Sequence, residues 1–96
     1  MKVLVKGFFD VQKAMDNNAT IEIEEDALSL RDILEYLSRR FGQDLSELIL
    51  DPETKGLADH VMLLVNGFNY LYLPKKLDTD LKDGDEIALF PPIAGG

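Results

Sequence analysis

The chain contains no cysteine, and this absence excludes disulfides, thiolate metal sites and a cysteine nucleophile together. Histidine is nearly as scarce: His60 is the only one, so neither a Cys/His pair nor a histidine-rich metal centre can be assembled within one chain. Long apolar runs are missing too. The longest, Val61 to Val65, falls far short of the roughly 20 residues that a membrane helix requires. The opening Met1-Lys2-Val3-Leu4-Val5-Lys6 meets a charge too early to form the apolar part of a signal peptide. A cytoplasmic location is therefore expected, with no membrane partner. Basic charge is also in short supply: 10 Lys and Arg against 18 Asp and Glu give a formal charge of -8. That charge repels a phosphate backbone, and the cations are scattered along the sequence, so nucleic acid is not an expected partner. It would instead steer the protein towards a basic face on another protein.

What is present is enough for one domain. With 96 residues, 46% of them hydrophobic and 29% charged, the chain can bury one modest core and solvate the remainder. Val3 and Val5 alternate within Lys2 to Phe8, and Ile21 and Ile23 alternate with Glu22 and Glu24, which is the pattern of two half-buried strands. Asp16-Asn17-Asn18 between them is a turn signal, so an opening hairpin is expected. Ser29 followed by Asp32 has the spacing of a capping box. Leu30, Ile33, Leu34, Leu37 and Phe41 then recur at helical spacing up to a stop at Gly42. Leu45 to Leu50 adds a short helical turn, and residues 51–56, bracketed by Pro52 and Gly56, read as a loop. His60 to Val65 reads as a strand closed by an Asn66-Gly67 turn, with a further strand at Asn69 to Leu73 before Pro74. Asp83-Gly84-Asp85 is a turn, and Glu86 to Phe90 is the last strand, with Ile87 and Leu89 on one face and Ala88 and Phe90 on the other. The order is that of an α+β fold of the β-grasp, or ubiquitin-like, kind: a mixed sheet with one main helix packed on one face. The expected organisation is a β-grasp domain over 1–90 and an extended tail over 91–96.

The tail is the one break in composition. Pro91 and Pro92 offer no N–H and fix φ, so the sheet ladder cannot continue past Phe90 and the chain should leave as an extended arm. Gly95 and Gly96 have no Cβ and can thread a narrow channel to approach a reacting centre closely. At a usage of about 7%, two terminal glycines arise by chance in roughly one chain in 200, so the pair alone is thin support. The rigid Pro-Pro directly before it strengthens the signal.

The whole run Leu81-Lys82-Asp83-Gly84-Asp85-Glu86-Ile87-Ala88-Leu89-Phe90-Pro91-Pro92-Ile93-Ala94-Gly95-Gly96 resembles the C-terminal signature of the MoaD family, the small subunits of molybdopterin synthase, which are ubiquitin-like sulfur carriers. The match extends more loosely over the N-terminal hairpin, the capped helix and the Val65-Asn66-Gly67 turn. The resemblance implies a carrier cycle. An E1-like adenylating enzyme of the MoeB type uses ATP and magnesium to adenylate the carboxylate of Gly96, and sulfur then displaces AMP to leave a thiocarboxylate. The large catalytic synthase subunit, of the MoaE type, would receive the tail in a heterotetramer and transfer sulfur to precursor Z to form the dithiolene of molybdopterin. The same resemblance implies that Phe90, Pro91, Pro92, Ile93, Ala94 and Gly95 bind the partners, and that this chain holds no cofactor itself. The family's large apolar residue closing the first strand falls either at Lys6 or at the Phe8-Phe9 pair. Phe90 is open to two readings, a docking aromatic or an ordinary core residue.

Other constellations do not survive their spacing. A calcium loop registered on Asp78 needs glycine at 83 and glutamate at 89, where the chain has Asp83 and Leu89. Asp83-Gly84-Asp85 lacks the following helix and the lysine of a phosphate loop. No self-contained active site is found, so the chain is expected to serve as the non-catalytic small subunit of a sulfurtransferase complex. Two rivals remain. One is a carrier or protein modifier for another pathway, such as thiamine, cysteine or tRNA thiolation. The other is a β-grasp interaction module whose tail is never activated.

Overall fold

The computed structural model of the chain describes residues 1–92. Two strands open it, β1 over Lys2–Gly7 and β2 over Thr20–Glu24, paired antiparallel with Val3 opposite Ile23 and Val5 opposite Ile21. The expected hairpin is present, but its connection is more than a turn. A short helix, α1, spans Asp10–Ala14 and places Val11 in the core, with Met15 buried just beyond its end. The spacing of Val11 and Met15, one helical turn apart, carried this signal. The Asp16-Asn17-Asn18 cluster fell after α1, where Asp16 and Asn17 take positive φ (57° and 65°) to turn the chain back into β2.

The main helix, α2, runs Leu30–Phe41, and its start is the capping box that the sequence announces. The Asp32 amide donates to Ser29 Oγ at 3.2 Å, and the Ser29 amide donates to Asp32 Oδ2 at 2.9 Å. Gly42 ends it at φ 82°, a conformation that costs glycine little, and its N–H bonds the Ser38 carbonyl. Leu30, Ile33, Leu34 and Leu37 are buried on one stripe, and each fully buried residue of this kind contributes about 1.5–3 kcal/mol through the apolar surface removed from water. A second helix, α3 over Gln43–Ile49, extends the expected short turn and adds Leu45 and Ile49 to the same core.

The second half completes the sheet. Strand β3 covers Met62–Val65, so His60 and Val61 lie outside it, with His60 exposed at φ 69°. Asn66 and Gly67 make the tight turn into β4, which is only Phe68–Asn69. The strand expected from Asn69 to Leu73 is instead a 3-10 turn over Tyr70–Tyr72. Asn69 starts it by accepting the Leu71 N–H on its side-chain oxygen at 2.9 Å, an alternative to ladder pairing that asparagine offers readily. A second 3-10 turn occupies Lys76–Asp78. The last strand, β5, is Glu86–Phe90. The strand order is β2-β1-β5-β3-β4, with β1 and β5 parallel and the other pairs antiparallel. Ile87 and Leu89 face the core and are fully buried. This is the mixed sheet with a helix on one face that the sequence predicts.

Asp83 and Asp85, residues of the discounted calcium loop, have structural partners. Asp83 accepts the Lys2 N–H at 2.7 Å, and Asp85 accepts the Lys82 N–H at 2.8 Å and an Asn66 side-chain N–H at 3.0 Å. Their carboxylates hold the turn that leads into β5 against the start of β1.

Replacing Ser29 with alanine should leave the fold intact and lower the unfolding free energy by about 1 kcal/mol, the usual cost of losing an N-terminal cap. Urea denaturation of the two proteins reads this as a shift in midpoint at constant slope.

Candidate functional site

Because β1 and β5 are parallel neighbours, the residues that follow each strand leave the sheet at the same end. Gly7 lies opposite Leu89, and the Phe8 N–H donates to the Leu89 carbonyl at 3.1 Å. One residue later the rings of Phe8 and Phe90 stack, 4.3 Å between centroids and 6° from parallel. Gly7 lets α1 pack closely over this end of β1. A Cβ there would meet Met15 Sδ at 2.5 Å and the Gln12 backbone nitrogen at 3.3 Å, so α1 can fold tightly over the end of β1 only if that position has no side chain.

Phe90 is half-buried and is not part of the core. It lies on the face of the sheet that carries no helix, outside the buried core cluster. Opposed residues share a face, so the register puts Met62 beside Phe90, and Leu64 and Lys6 beside Ala88. Leu4, opposite Glu86, extends the same face. Leu4, Leu64, Ala88, Phe8 and Phe90 are half-buried, while Met62 is 45% exposed. The result is an apolar patch at the root of the tail. Lys6 borders it and pairs with Glu86 at 3.5 Å. Of the two alternatives for the end of the first strand, Phe8 supplies the aromatic that contacts Phe90, while Lys6 supplies charge.

Phe9 adds a feature that the sequence did not reveal. Its backbone sits at φ 53°, ψ -122°, and its ring is 73% exposed. A left-handed backbone is costly for a bulky residue, and an exposed aromatic gives nothing to the core. Among the sequence-expected site residues, Phe90, Pro91 and Pro92 fall within the described residues; Pro91 is buried and Pro92 exposed. Ile93, Ala94, Gly95 and Gly96 lie outside them. Leu4, Met62 and Leu64 were missed as site residues because only the strand register brings them to Phe90. Among the described residues no group of three His, Cys, Asp or Glu is placed to hold a metal ion. No helix there is long and apolar enough to cross a membrane.

A mixed five-stranded sheet with a helix packed on one face, in this strand order, is the β-grasp architecture of ubiquitin-like proteins. The chain belongs to the ThiS family, whose model matches residues 7–96; this is the family of ubiquitin-like sulfur carriers to which MoaD is related. A provisionally named sulfur carrier protein of Archaeoglobus fulgidus is 32% identical over 81 residues, covering 83% of this chain and 88% of that one. Among solved structures, SAMP1 of Haloferax volcanii superposes with a TM-score of 0.79 at 27% identity and 100% coverage of both chains. A provisionally named molybdopterin converting factor subunit 1 of Pyrococcus furiosus superposes at 0.72 with 28% identity, covering 97% of this chain and 99% of that one.

Replacing Phe90 with alanine should cost about 1 kcal/mol of stability, the value of a partly exposed aromatic pair, and not the 3–5 kcal/mol of a buried phenylalanine. Thermal unfolding measures this. A loss in the larger range would return Phe90 to the core.

Proposed function

We propose that the chain is the sulfur carrier subunit of a molybdopterin synthase, working through a thiocarboxylate at Gly96. The observation that carries this reading is the join between fold and tail. The Phe90-Pro91-Pro92 exit is gripped on one side by the Phe8–Phe90 stack, and it continues in sequence to Ile93-Ala94-Gly95-Gly96. A rigid root followed by a segment ending in the two side-chain-free residues Gly95 and Gly96 suits delivery of a terminal carboxylate into a partner's active site.

The chemistry follows from the carboxylate itself. It is a poor electrophile until an E1-like enzyme, using ATP and magnesium, converts it to an acyl adenylate with release of pyrophosphate. Hydrosulfide supplied by the sulfur donor then attacks the acyl carbon, the C–O bond to AMP breaks, and a thiocarboxylate remains with AMP and a proton released. That group is anionic at neutral pH and is a good sulfur nucleophile toward precursor Z in the large subunit. The chain's own part is to dock, orient and present the terminus. Its apolar patch of Phe8, Met62, Leu64 and Phe90 suits both the activating enzyme and the large subunit, and the acidic remainder of the surface favours partners with a basic rim. The Pyrococcus furiosus relative, by its name, supports the molybdopterin destination. The full-length likeness to SAMP1 favours a second reading, in which the same activated terminus is joined to protein amines or supplies sulfur elsewhere.

Intact mass spectrometry after incubation with a MoeB-type enzyme, ATP, magnesium and a sulfur donor tests the carrier step. The expected result is the mass gain of one oxygen exchanged for sulfur, lost when Gly96 is deleted although the truncated protein keeps its unfolding temperature. Equal adenylation of the truncated and complete forms would reject it. Adding a MoaE-type subunit and precursor Z then separates the molybdopterin destination, which predicts consumption of the thiocarboxylate, from the others.

A further inference from the structure

Phe9 stands one residue beyond the Phe8–Phe90 stack, where α1 begins. The Val11 N–H donates to the Phe8 carbonyl at 3.0 Å, closing a four-residue turn with Phe9 in its second position. Its φ of 53° and ψ of -122° are those of the second residue in a type II′ turn, a place where glycine dominates and a side chain is strained. The surroundings fix this turn. Phe8 is held by the ring stack and by its N–H on the Leu89 carbonyl, and the Phe9 carbonyl accepts the Lys13 N–H at 3.2 Å. Folding α1 tightly over Gly7 therefore demands this backbone, but it does not demand a phenylalanine. Glycine would meet the same need with less strain.

Nor does the ring offset the strain within the domain. It is 73% exposed and belongs neither to the core nor to the partly buried residues packed against it. Phe9 is the only aromatic with positive φ among the described residues; the exposed rings of Phe68 and Tyr72 carry no such strain. The length of the tail indicates what covers it. Residues 93–96 separate Pro92 from the terminal carboxylate, and four residues span at most about 14 Å. A protein that takes Gly96 into its active site must therefore come down on the end of the sheet from which the tail departs. Phe8 meets Phe90 at that end, and the Cα of Phe9 is about 3.8 Å from that of Phe8. Asp10 and Lys13, paired at 3.7 Å on the exposed surface of α1, put charge beside the ring, the arrangement of an apolar anchor with a polar rim.

We infer that Phe9 is a docking anchor whose ring enters an apolar pocket at the mouth of the adenylating enzyme's tail channel, a role that rests on the carrier function proposed above. The ring touches no reacting atom. It governs how well the carrier is captured and leaves the adenylation step itself unchanged.

Steady-state adenylation by an E1-like enzyme with ATP and magnesium, at varied concentrations of the full chain, tests this. In Phe9→Gly the KM for the chain should rise about tenfold or more, the effect of truncating an anchoring aromatic, with kcat unchanged. Its unfolding temperature should equal or exceed that of the wild type, because glycine relieves the strained φ. Phe9→Tyr, which keeps the ring, should hold KM near the wild-type value. Phe68→Ala should leave KM unchanged, since Phe68 pairs with Val65, at the other end of β3 from Met62 and Phe90. Wild-type KM in Phe9→Gly, or an equal rise in Phe68→Ala, would overturn the anchor and leave the carrier function standing. A lowered unfolding temperature in Phe9→Gly would also overturn it, by making the residue structural. Failure of the enzyme to adenylate the wild-type chain at Gly96 would overturn both.

Discussion

The parallel pairing of β1 with β5 connects the two ends of the chain. Val5 beside Ile87 and Gly7 beside Leu89 bring the first strand and the last together at the centre of the sheet, so the N-terminal residues become the support from which the C-terminal tail departs. Parallel neighbours cannot be joined by a tight turn. Everything between residues 8 and 85 is therefore the crossover that this pairing demands: a hairpin partner on one side, two helices over the core face, and β3 with β4 on the other side. The core depends on it as well, since Val3, Val5, Ile87 and Leu89 form the floor on which Leu30, Ile33, Leu34 and Leu37 rest.

The same pairing explains why the two faces of the sheet differ. Side chains alternate along a strand, so the residues between the buried ones must point away from the helices. On β1 and β5 these are Leu4, Lys6, Glu86, Ala88 and Phe90, a mixture of apolar and charged groups. A face kept for solvent alone has no need of Phe90 stacked on Phe8, nor of Met62 beside it. Mixed composition of this kind fits a surface that is wet when free and suited to contact with a partner.

Much of this was legible without coordinates. Ser29 and Asp32 marked the start of α2 because a capping box is a local structure, complete within four residues. The alternation of Ile21 with Glu22, and of Ile87 with Ala88, located strands and their buried faces because the period of two survives any choice of partner. Failures came where local preference gave way to context. Asn69 to Leu73 has the aromatic composition of a strand, yet Asn69 captured the Leu71 amide and diverted the backbone into a 3-10 turn. The α1 segment was overlooked because five residues give too short a period to register, and packing against the end of β1 stabilises it.

By itself, then, the sequence determined the class of fold and the boundaries of α2 and β5, which depend on neighbouring residues or on a long motif. Tertiary structure alone decided which residues surround Phe90 at the end of β5. Phe8 meets Phe90 across 82 positions of sequence, and Leu4, Met62 and Leu64 join them, through a strand register that no local pattern encodes. The physical reason is that local preference fixes which face of an element a residue occupies, and only the packing of elements fixes what that face meets.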